Sequence, residues 1–478
     1  MRLFLVQFGS LFSEHIRVAE ELRKRHEILY WTRLEEVVPL DESTFPRTVF
    51  HKYRDALKGI APPAVDTSTF EPWSAEAISA FAGTESELMT MMDKWYPAWP
   101  SLKRKDFYYE QLRYWGGVLE QFAPDYIVFL EVPHDMYGFI LYRVARSRGI
   151  RTLMFENVLR YDRLLMYREY EKGNETLAEA SARGFRDKAV TPDDLSPEVR
   201  DHYLELSGKK EPEAPGYMKA FKSEHTGWNK LRRRTKALIP FVKDGSIFER
   251  AVLRLFKTFK RGVQDEYRSV LKDADFTRPF VYVPLSYQPE RTTSPQGGIF
   301  VNQLAMVRML SAALPKGWEL YIKEHPAQHV AHGRDYNAYR WRGVYEDIAR
   351  IPNVRLVPTT TNTFELAQHS KAVATVTGTA AWEAILRGTP ALVFGYTWFM
   401  HAPGIFRVSD TEACRSAFKE IERGFCPDAQ HVLNYLKVLN DVSVPGFIDG
   451  HGYRIASDET RANWRALYEA IERALGKE

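Results

Sequence analysis

The chain has 478 residues, of which 45% are hydrophobic, 27% are charged and 2 are cysteines. This globular composition excludes a disordered or collagen-like chain, and so few cysteines exclude a disulfide scaffold and favour a reducing, cytoplasmic compartment. The 66 basic residues nearly balance the 62 acidic ones, so the net charge of +4 does not indicate a nucleic-acid partner. The length fits two large domains, and no apolar run reaches the ~18 residues of a membrane span.

The N-terminal part alternates short apolar runs with helix-like segments. We predict strands at 3–8, 28–31, 126–130 and 150–155, helices at 13–25, 108–122 and 136–148, and an irregular stretch at 33–100. This β-α-β rhythm predicts a parallel sheet. Residues 160–265 are charged, interrupted by proline and helical in pattern, so we interpret them as a helical insertion.

A second α/β unit begins near Arg278. Its predicted strands are 280–285, 318–323, 354–357, 372–376 and 391–394, and its predicted helices are 300–314, 363–369, 380–386 and a last helix at 459–475. We therefore predict an α/β protein with two Rossmann-like domains facing a cleft, over residues 1–270 and 271–478. Ligands of such folds bind at the carboxyl ends of the strands.

The segment 373–395 reads as a strand, a Thr-Gly-Thr turn, a helix, a glycine stop and another strand. Gly378 allows a close approach of the backbone to a ligand, and the helix N-terminus offers free N–H groups to an anion. Thr377 and Thr379 add hydroxyl donors, and Glu383 offers a carboxylate to a ribose diol. The alternative is an ordinary helix start, with Thr379 as its N-cap and Glu383 as a surface acid.

A histidine follows another predicted strand, in Lys323-Glu324-His325-Pro326. Because Pro326 restricts the backbone, His325 is held extended at the edge of the predicted cleft. An imidazole placed there can donate a hydrogen bond to a leaving phosphate oxygen, and Lys323 adds positive charge. We favour this role over a purely structural histidine.

The loop 286–298 also leaves the carboxyl end of a predicted strand and is rich in polar residues and glycine. Side chains that could contact a base, a sugar or a phosphate are those of Gln288, Glu290, Thr293, Ser294 and Gln296. The alternative is a solvent-exposed surface loop.

These three segments together resemble the capsule polysaccharide biosynthesis family, bacterial retaining β-Kdo glycosyltransferases that use CMP-Kdo. The resemblance covers about residues 278–400 and depends on the motifs Tyr287-Gln288-Pro289-Glu290, Thr292-Thr293-Ser294-Pro295 with Gly297-Gly298, Lys323-Glu324-His325-Pro326 and Thr377-Gly378-Thr379-Ala380-Ala381-Trp382-Glu383-Ala384. It implies a GT-B fold that binds a CMP-sugar in its C-terminal half, with His325 at the donor phosphate, Thr377–Thr379 around it, and no separate cofactor. Sialyltransferases of GT-B type and glycerophosphate polymerases use a similar His-Pro, so the donor sugar stays open.

The resemblance places the acceptor and a catalytic carboxylate in the N-terminal half. Candidate residues after predicted strands are Glu131, His134, Asp135 and Glu156. In a retaining enzyme the carboxylate is a nucleophile, and in an inverting enzyme it is a general base. We favour Glu131 and keep Asp135 as a second candidate.

Two further segments bear on metal and membrane. Asp273-Ala274-Asp275 has the Asp-X-Asp pattern of metal-dependent transferases, but it precedes a strand, so we predict no metal. The basic segment 230–261 contains an amphipathic pattern and predicts peripheral contact with the anionic inner membrane near a lipid-linked acceptor. The alternatives are a solvated helix face, contact with an acidic glycan, or packing against the N-terminal domain.

The functions compatible with this sequence fall into different classes. The first is transfer of Kdo or a related acidic sugar from a CMP-activated donor to a glycan or glycolipid acceptor. The second is a glycerophosphotransferase that uses CDP-glycerol. The third is an inactive glycan-binding protein of the same fold, which the presence of His325 and Glu383 disfavours.

Overall fold

The computed structural model describes residues 1–34, 38–159, 162–185, 189–208, 261–290, 292–332 and 335–476. Within these ranges the chain forms a seven-stranded and a six-stranded sheet with helices packed on them. The basic segment 230–261 lies, except for its last residue, outside the described residues, as does much of the predicted insertion 160–265. The membrane contact predicted for that segment therefore stays a prediction.

The first sheet is built mainly from the N-terminal part of the chain. Its strands in spatial order are β13 (Val444–Pro445), β6 (Arg163–Tyr167), β5 (Arg151–Val158), β4 (Tyr126–Phe129), β1 (Arg2–Val6), β2 (Glu27–Arg33) and β3 (Val49–Lys52). The strands from β3 to β5 are parallel, β6 is antiparallel to β5, and β13 is antiparallel to β6. The central strands β1 and β4 are apolar and buried apart from Arg2, as is typical of parallel strands that are covered on both faces.

The helices of this part are α1 (Ser13–Leu22), α2 (Tyr53–Lys58), α3 (Ala75–Ala80), α4 (Ala82–Met91), α5 (Ser101–Phe122), α6 (Met136–Ser147), α7 (Glu175–Ala182) and α8 (Pro197–Leu206). Short 3-10 turns lie at Glu42–Thr44, Met92–Lys94 and Pro192–Asp194. The described part of the insertion packs on the second domain, since Trp382 Nε1 donates to His202 Nε2 at 2.9 Å.

The second sheet is parallel throughout. Its spatial order is β12 (Ile405–Arg407), β11 (Ala391–Val393), β10 (Ala372–Thr375), β7 (Phe280–Pro284), β8 (Glu319–Lys323) and β9 (Val354–Val357). The helices from here on are α9 (Val263–Ser269), α10 (Gln303–Ala313), α11 (Pro326–His332), α12 (Val344–Ala349), α13 (Thr363–His369), α14 (Ala380–Leu386), α15 (Thr411–Glu422), α16 (Ala429–Val442), α17 (Gly450–Ile455), α18 (Asp458–Ala462) and α19 (Trp464–Leu475), with a 3-10 turn at Gly298–Val301.

The predicted α/β architecture with two Rossmann-like, GT-B-like units is confirmed by these two sheets. The chain ends back on the first of them: β13 pairs with β6, and α19 packs against α1. The predicted limits 1–270 and 271–478 stay a prediction, to which the structure adds this return of the C-terminal segment.

Several predicted elements were wrong. The stretch 33–100 is not irregular, because it contains β3 and the helices α2 to α4. The insertion is not wholly helical, since β6 turns back onto β5. Residues 391–394 are not the last strand, and the tail is divided into α18 and α19, where Asn463 accepts from Ala466 N–H and caps the second helix. These elements are short, and pairing or packing with distant residues stabilises them more than any local pattern does.

Candidate functional site

The three segments singled out in the C-terminal half lie beside one another. Strands β10, β7 and β8 are neighbours in the second sheet. Their carboxyl ends lead into the turn 377–379, the loop 286–298 and His325 respectively. Because parallel strands end at the same edge of a sheet, these segments share one face of the domain. We call this face the donor edge.

The imidazole of His325 is held in one tautomer. Its Nδ1 accepts the backbone N–H of Ala327 at 3.1 Å, so in the neutral ring the proton is carried by Nε2. Burial lowers the pKa of His325 below its ordinary value, against the attraction of the neighbouring Glu324. The result is a neutral ring whose Nε2–H is a hydrogen-bond donor. The Tyr287 ring lies beside it, with the two centroids 6.1 Å apart.

The preceding residue, Glu324, anchors this histidine from a fully buried position. One carboxylate oxygen accepts the His325 backbone N–H at 2.7 Å and Arg340 Nη2 at 3.0 Å. The other oxygen accepts from Arg340 Nε and from the Tyr345 hydroxyl. Although burial disfavours the charge, the arginine and these hydrogen bonds hold the pKa of Glu324 below its usual range. The pair is thus an internal anchor for the loop that carries His325.

Sequence reasoning quoted Glu324 within its motif but assigned it no role, and it missed Arg340. A signal was present, because a carboxylate directly after a buried strand needs a cationic partner if it is itself buried. Nothing local identifies Arg340, which lies 16 residues away along the chain.

Lys323 lies at the carboxyl end of β8 and is buried. Its Nζ donates to the Thr361 carbonyl at 2.6 Å and to Thr363 Oγ1 at 2.7 Å. Burial lowers the pKa of Lys323 to about 8. The ammonium is therefore held in a fixed position and loses its charge at a lower pH than a surface lysine does.

Part of the loop 286–298 is built from its own polar side chains. Gln288 is buried, and its Nε2 donates to Thr293 Oγ1 at 2.6 Å. The Gln288 backbone N–H donates to Gln328 Oε1 at 2.8 Å, and Gln328 Nε2 returns a bond to the Gln288 carbonyl at 3.0 Å. Gln288 and Thr293 thus maintain the loop shape, while Glu290 is half-buried and Ser294 is buried.

Two glycines allow this loop to approach the turn after β10. A Cβ on Gly297 would lie 2.5 Å from the Thr293 carbonyl oxygen and 2.9 Å from Val376. A Cβ on Gly395 would lie 2.7 Å from the Gln296 carbonyl oxygen and 2.6 Å from the Thr377 methyl group. Both contacts are too close for any side chain, so glycine is required where the loop and the turn pack together.

In the turn 377–379 the Thr379 hydroxyl is exposed, whereas Thr377 is buried. Thr379 is the N-cap of α14 and is exposed, yet its hydroxyl makes no capping bond to the helix. The Gly378 N–H donates to Thr375 Oγ1 at 3.2 Å. Glu383, one turn into the helix, is half-buried, and burial raises its pKa despite the nearby Arg387. The arrangement offers a hydroxyl and a carboxylate at the donor edge.

The N-terminal candidates follow β4, at the carboxyl edge of the first sheet. Glu131 lies 3.4 Å from His134 Nδ1, and its side chain is 17% exposed. Asp135 is 2% exposed; its Oδ2 accepts from Tyr53 Oη at 2.7 Å and from Gln7 Nε2 at 2.9 Å. Of the two carboxylates, Glu131 is the more exposed.

Tyr53 and Gln7 were missed as parts of this cluster. Gln7 directly follows β1 and has a left-handed φ of 68°, an uncommon backbone conformation for a residue other than glycine. That conformation was not readable from the sequence. Tyr53 belongs to the stretch that was predicted to be irregular.

A further candidate, Glu156, joins the two halves of the protein. Its Oε2 accepts from Tyr167 Oη at 2.7 Å within the first domain. Its Oε1 accepts from Gln296 Nε2 at 3.2 Å, and Gln296 also donates to the Tyr396 carbonyl at 3.0 Å. Glu156 therefore holds the loop 286–298 against the first sheet.

Asp273 and Asp275 precede β7 and so lie at the opposite end of that strand from the donor edge. Asp275 accepts from Thr277 Oγ1 at 2.6 Å and pairs with Arg278 at 3.2 Å. Among the residues that the structure describes, no group of three or more histidines, cysteines or acids could hold a metal ion. Whether the reaction needs a metal stays a prediction.

No helix in the described ranges combines the length and the apolar character that a bilayer crossing requires.

Comparison with known proteins gives one family match. Residues 280–423 match the family described as capsule polysaccharide biosynthesis protein. This range includes the loop 286–298, His325 and the turn 377–379. No curated protein matches the chain significantly in sequence.

The solved structures that match this chain share little sequence identity with it. UDP-GlcNAc 2-epimerase from Neisseria meningitidis has 13% identity and a TM-score of 0.28, with 92% of this chain and 99% of that chain covered. The β-Kdo 2,7 transferase KpsC of Thermosulfurimonas dismutans has 8% identity and a TM-score of 0.32, with 76% and 87% covered. The β-Kdo 2,4 transferase of the same protein has 12% identity and a TM-score of 0.29, with 66% and 79% covered. At this distance they do not bear on substrate or reaction. The resemblance drawn from the motifs is nevertheless confirmed where they lie, because residues 280–423 match the capsule polysaccharide biosynthesis family.

Proposed function

We propose that the chain is a glycosyltransferase of bacterial surface polysaccharide synthesis. It transfers Kdo or a related acidic sugar from a CMP-activated donor to a glycan or glycolipid acceptor. The observation that carries the proposal is the donor edge, where a neutral His325 with its proton on Nε2 lies beside a polar loop and a helix-start turn. The family match over residues 280–423 supports it.

On the donor side, the chemistry requires stabilisation of the departing CMP phosphate. His325 Nε2–H donates to a phosphate oxygen, and Lys323 supplies positive charge from a fixed position. The first N–H groups of α14 and the Thr379 hydroxyl complete the phosphate site. In this proposal these groups take the place of a metal ion.

On the acceptor side, Glu131 is the accessible carboxylate. In a retaining reaction its oxygen attacks the anomeric carbon while the bond to the CMP phosphate breaks. The acceptor hydroxyl then displaces the carboxylate and loses its proton. In an inverting reaction the same carboxylate removes the proton from the acceptor hydroxyl as it attacks the donor. We favour the retaining course, which the family resemblance implies.

The test compares CMP-Kdo, CMP-sialic acid and CDP-glycerol side by side, with CMP release as the readout and mass spectrometry of the acceptor product. We expect release with CMP-Kdo or a related CMP-sugar, and a product heavier by that sugar. Glycerophosphate transfer from CDP-glycerol alone would contradict the proposal and support the second function. No turnover with any donor, together with specific glycan binding, would support the third.

A further inference from the structure

The segment that connects the 3-10 turn at Met92–Lys94 to α5 exposes large apolar side chains. Trp95 is 39% exposed and Leu102 is 77% exposed, and they are among ten large hydrophobic residues exposed in the described part of the chain. Most of the residues between them are also exposed, including Pro97, Ala98 and Pro100. We call residues 94–103 the tryptophan loop. Exposed apolar side chains grouped within ten residues of chain form a candidate interaction surface.

A single guanidinium, that of Arg104, holds the tryptophan loop in a defined conformation. Arg104 donates five hydrogen bonds: to the carbonyls of Trp99, Met89, Tyr96 and Pro97, at 3.1 to 3.2 Å, and to Asp93 at 2.7 Å. The Trp99 ring stacks on Tyr96 with centroids 3.8 Å apart and planes at 7°. The exposed apolar groups are thus presented by a fixed scaffold.

Charge distinguishes this surface from an ordinary apolar patch. Residues 94–105 contain four basic residues and no acidic one. Two of them are paired, Arg104 with Asp93 and Lys105 with Glu85 at 2.8 Å. Lys94 and Lys103 form no ion pair with a described residue, and they lie over the rings of Trp95 at 5.5 Å and Trp99 at 4.5 Å.

We propose that the tryptophan loop docks on an anionic lipid bilayer. Tryptophan and tyrosine are enriched at the membrane interface, where the ring is buried and its polar edge stays hydrated. Lysines beside them bury their stems and keep the ammonium among the headgroups. A protein partner is not expected to select unpaired lysines over aromatic rings in this way, since lysine is depleted in protein interfaces.

The loop's position fits such a contact. It follows α4, whose end touches the second domain: Tyr339 Oη donates to the Thr90 carbonyl at 2.8 Å. Tyr339 adjoins Arg340, which anchors Glu324 beside His325. Docking there places the domain junction near the bilayer. The inference goes beyond the proposed function and does not depend on the identity of the donor.

The experiment is co-sedimentation of the full chain with vesicles of phosphatidylcholine alone or with added phosphatidylglycerol. We expect binding to the anionic vesicles only. The double variant Trp95→Ser/Leu102→Ser should lose it. Lys94→Gln/Lys103→Gln should weaken it about 30-fold, which corresponds to ~1 kcal/mol for each lysine near an anionic surface. Phe276→Ser, which removes a side chain that is 40% exposed in the other domain, is the matched control and should bind normally.

Two readouts keep the result interpretable. Thermal unfolding checks each variant, and Leu102→Ser alone serves if the double variant does not fold. CMP release with a short soluble acceptor should be unchanged in these variants. Absence of CMP release by the wild type would count against the proposed function and not against membrane docking. Equal sedimentation of the folded loop variants, or no vesicle binding by the wild type, would overturn the proposal. So would binding that is lost only when Arg232, Arg233 and Arg234 are replaced by glutamate, since it would assign the contact to segment 230–261.

Discussion

Replacing His325 by alanine removes one hydrogen-bond donor from the donor edge and leaves the anchor of its backbone in place. The Glu324 carboxylate still accepts the backbone N–H of residue 325, a bond of 2.7 Å that the substitution does not touch. In the proposed complex the loss is that of the Nε2–H donor to the phosphate, together with the Nδ1 acceptor of the Ala327 N–H. Loss of one donor that stabilises a transition state lowers kcat by about 10²–10³, or ~2.7–4 kcal/mol. We expect this decrease in kcat for CMP release, with a smaller change in KM.

The matched control is His329→Ala, four residues further along on α11. The His329 ring has no hydrogen-bond partner among the described residues, although both of its nitrogens are buried. Its removal deletes an imidazole from the helix that follows His325 without removing the donor, so kcat should stay near the wild-type value once folding is verified by thermal unfolding. Equal losses in the two variants would show that His325 acts through the helix and not through the phosphate.

The pH profile tests the tautomer. Because burial lowers the pKa of His325, its ring is neutral at neutral pH and donates from Nε2. Protonation at lower pH places a proton on Nδ1 and breaks the bond from Ala327 N–H, so kcat should fall as the pH decreases below the pKa of His325. If the imidazolium were the active form, kcat would instead fall as the pH rises through the lowered pKa of His325. That outcome in a folded enzyme would refute the reasoning.

Further predictions concern the surroundings of this histidine and the opposite sheet. Since burial lowers the pKa of Lys323 to about 8, its charge is present below that pH and lost above it; donor KM should rise as the pH increases through 8, and Lys323→Met should abolish that dependence. Arg340→Met leaves a buried, unpaired carboxylate and should lower the free energy of unfolding by ~3–5 kcal/mol in urea titrations, and an unchanged midpoint would contradict this. Glu131→Gln should eliminate turnover while Asp135→Asn, at the less accessible carboxylate, retains part of it; the reverse order would assign catalysis to Asp135. Activity should persist in EDTA, whereas a loss that magnesium or manganese restores would revive the aspartates before β7.

The second domain shows how far local pattern reaches. Segments 354–357, 363–369 and 380–386 were predicted with the bounds that the structure has. Their signals are local: apolar runs of strand length, helical periodicity, and a glycine after the helix, where Gly388 has a φ of 84°. Strands that are covered on both faces are mostly apolar. The order of strands and helices in such a domain can therefore be predicted from its sequence.

The weakest local signals gave the errors. β12 and β13 have three and two residues, too few for any periodicity. β13 exists because it pairs with β6, some 280 residues earlier in the chain. In the same way, α2 to α4 are short helices that depend on packing, since an isolated helix of that length is not stable in water. Tertiary contacts supplied what propensity did not.

The chemical groups at the carboxyl ends of the strands could be read from local pattern: Lys323 and His325 at the end of β8, the Thr-Gly-Thr turn after β10, and Glu131 after β4. The alternation of strands and helices places such groups at one edge, and this follows from parallel pairing alone.

The hydrogen-bond partners and the burial of these groups, in contrast, depend on the tertiary structure. It paired Glu324 with Arg340 across 16 residues, Asp135 with Tyr53 across 82, and Glu156 with Gln296 across 140. Those pairings separate the more exposed carboxylate from the buried one and anchor the backbone of His325. No local pattern encodes them, because a buried polar group takes whichever partner the fold brings within hydrogen-bond distance.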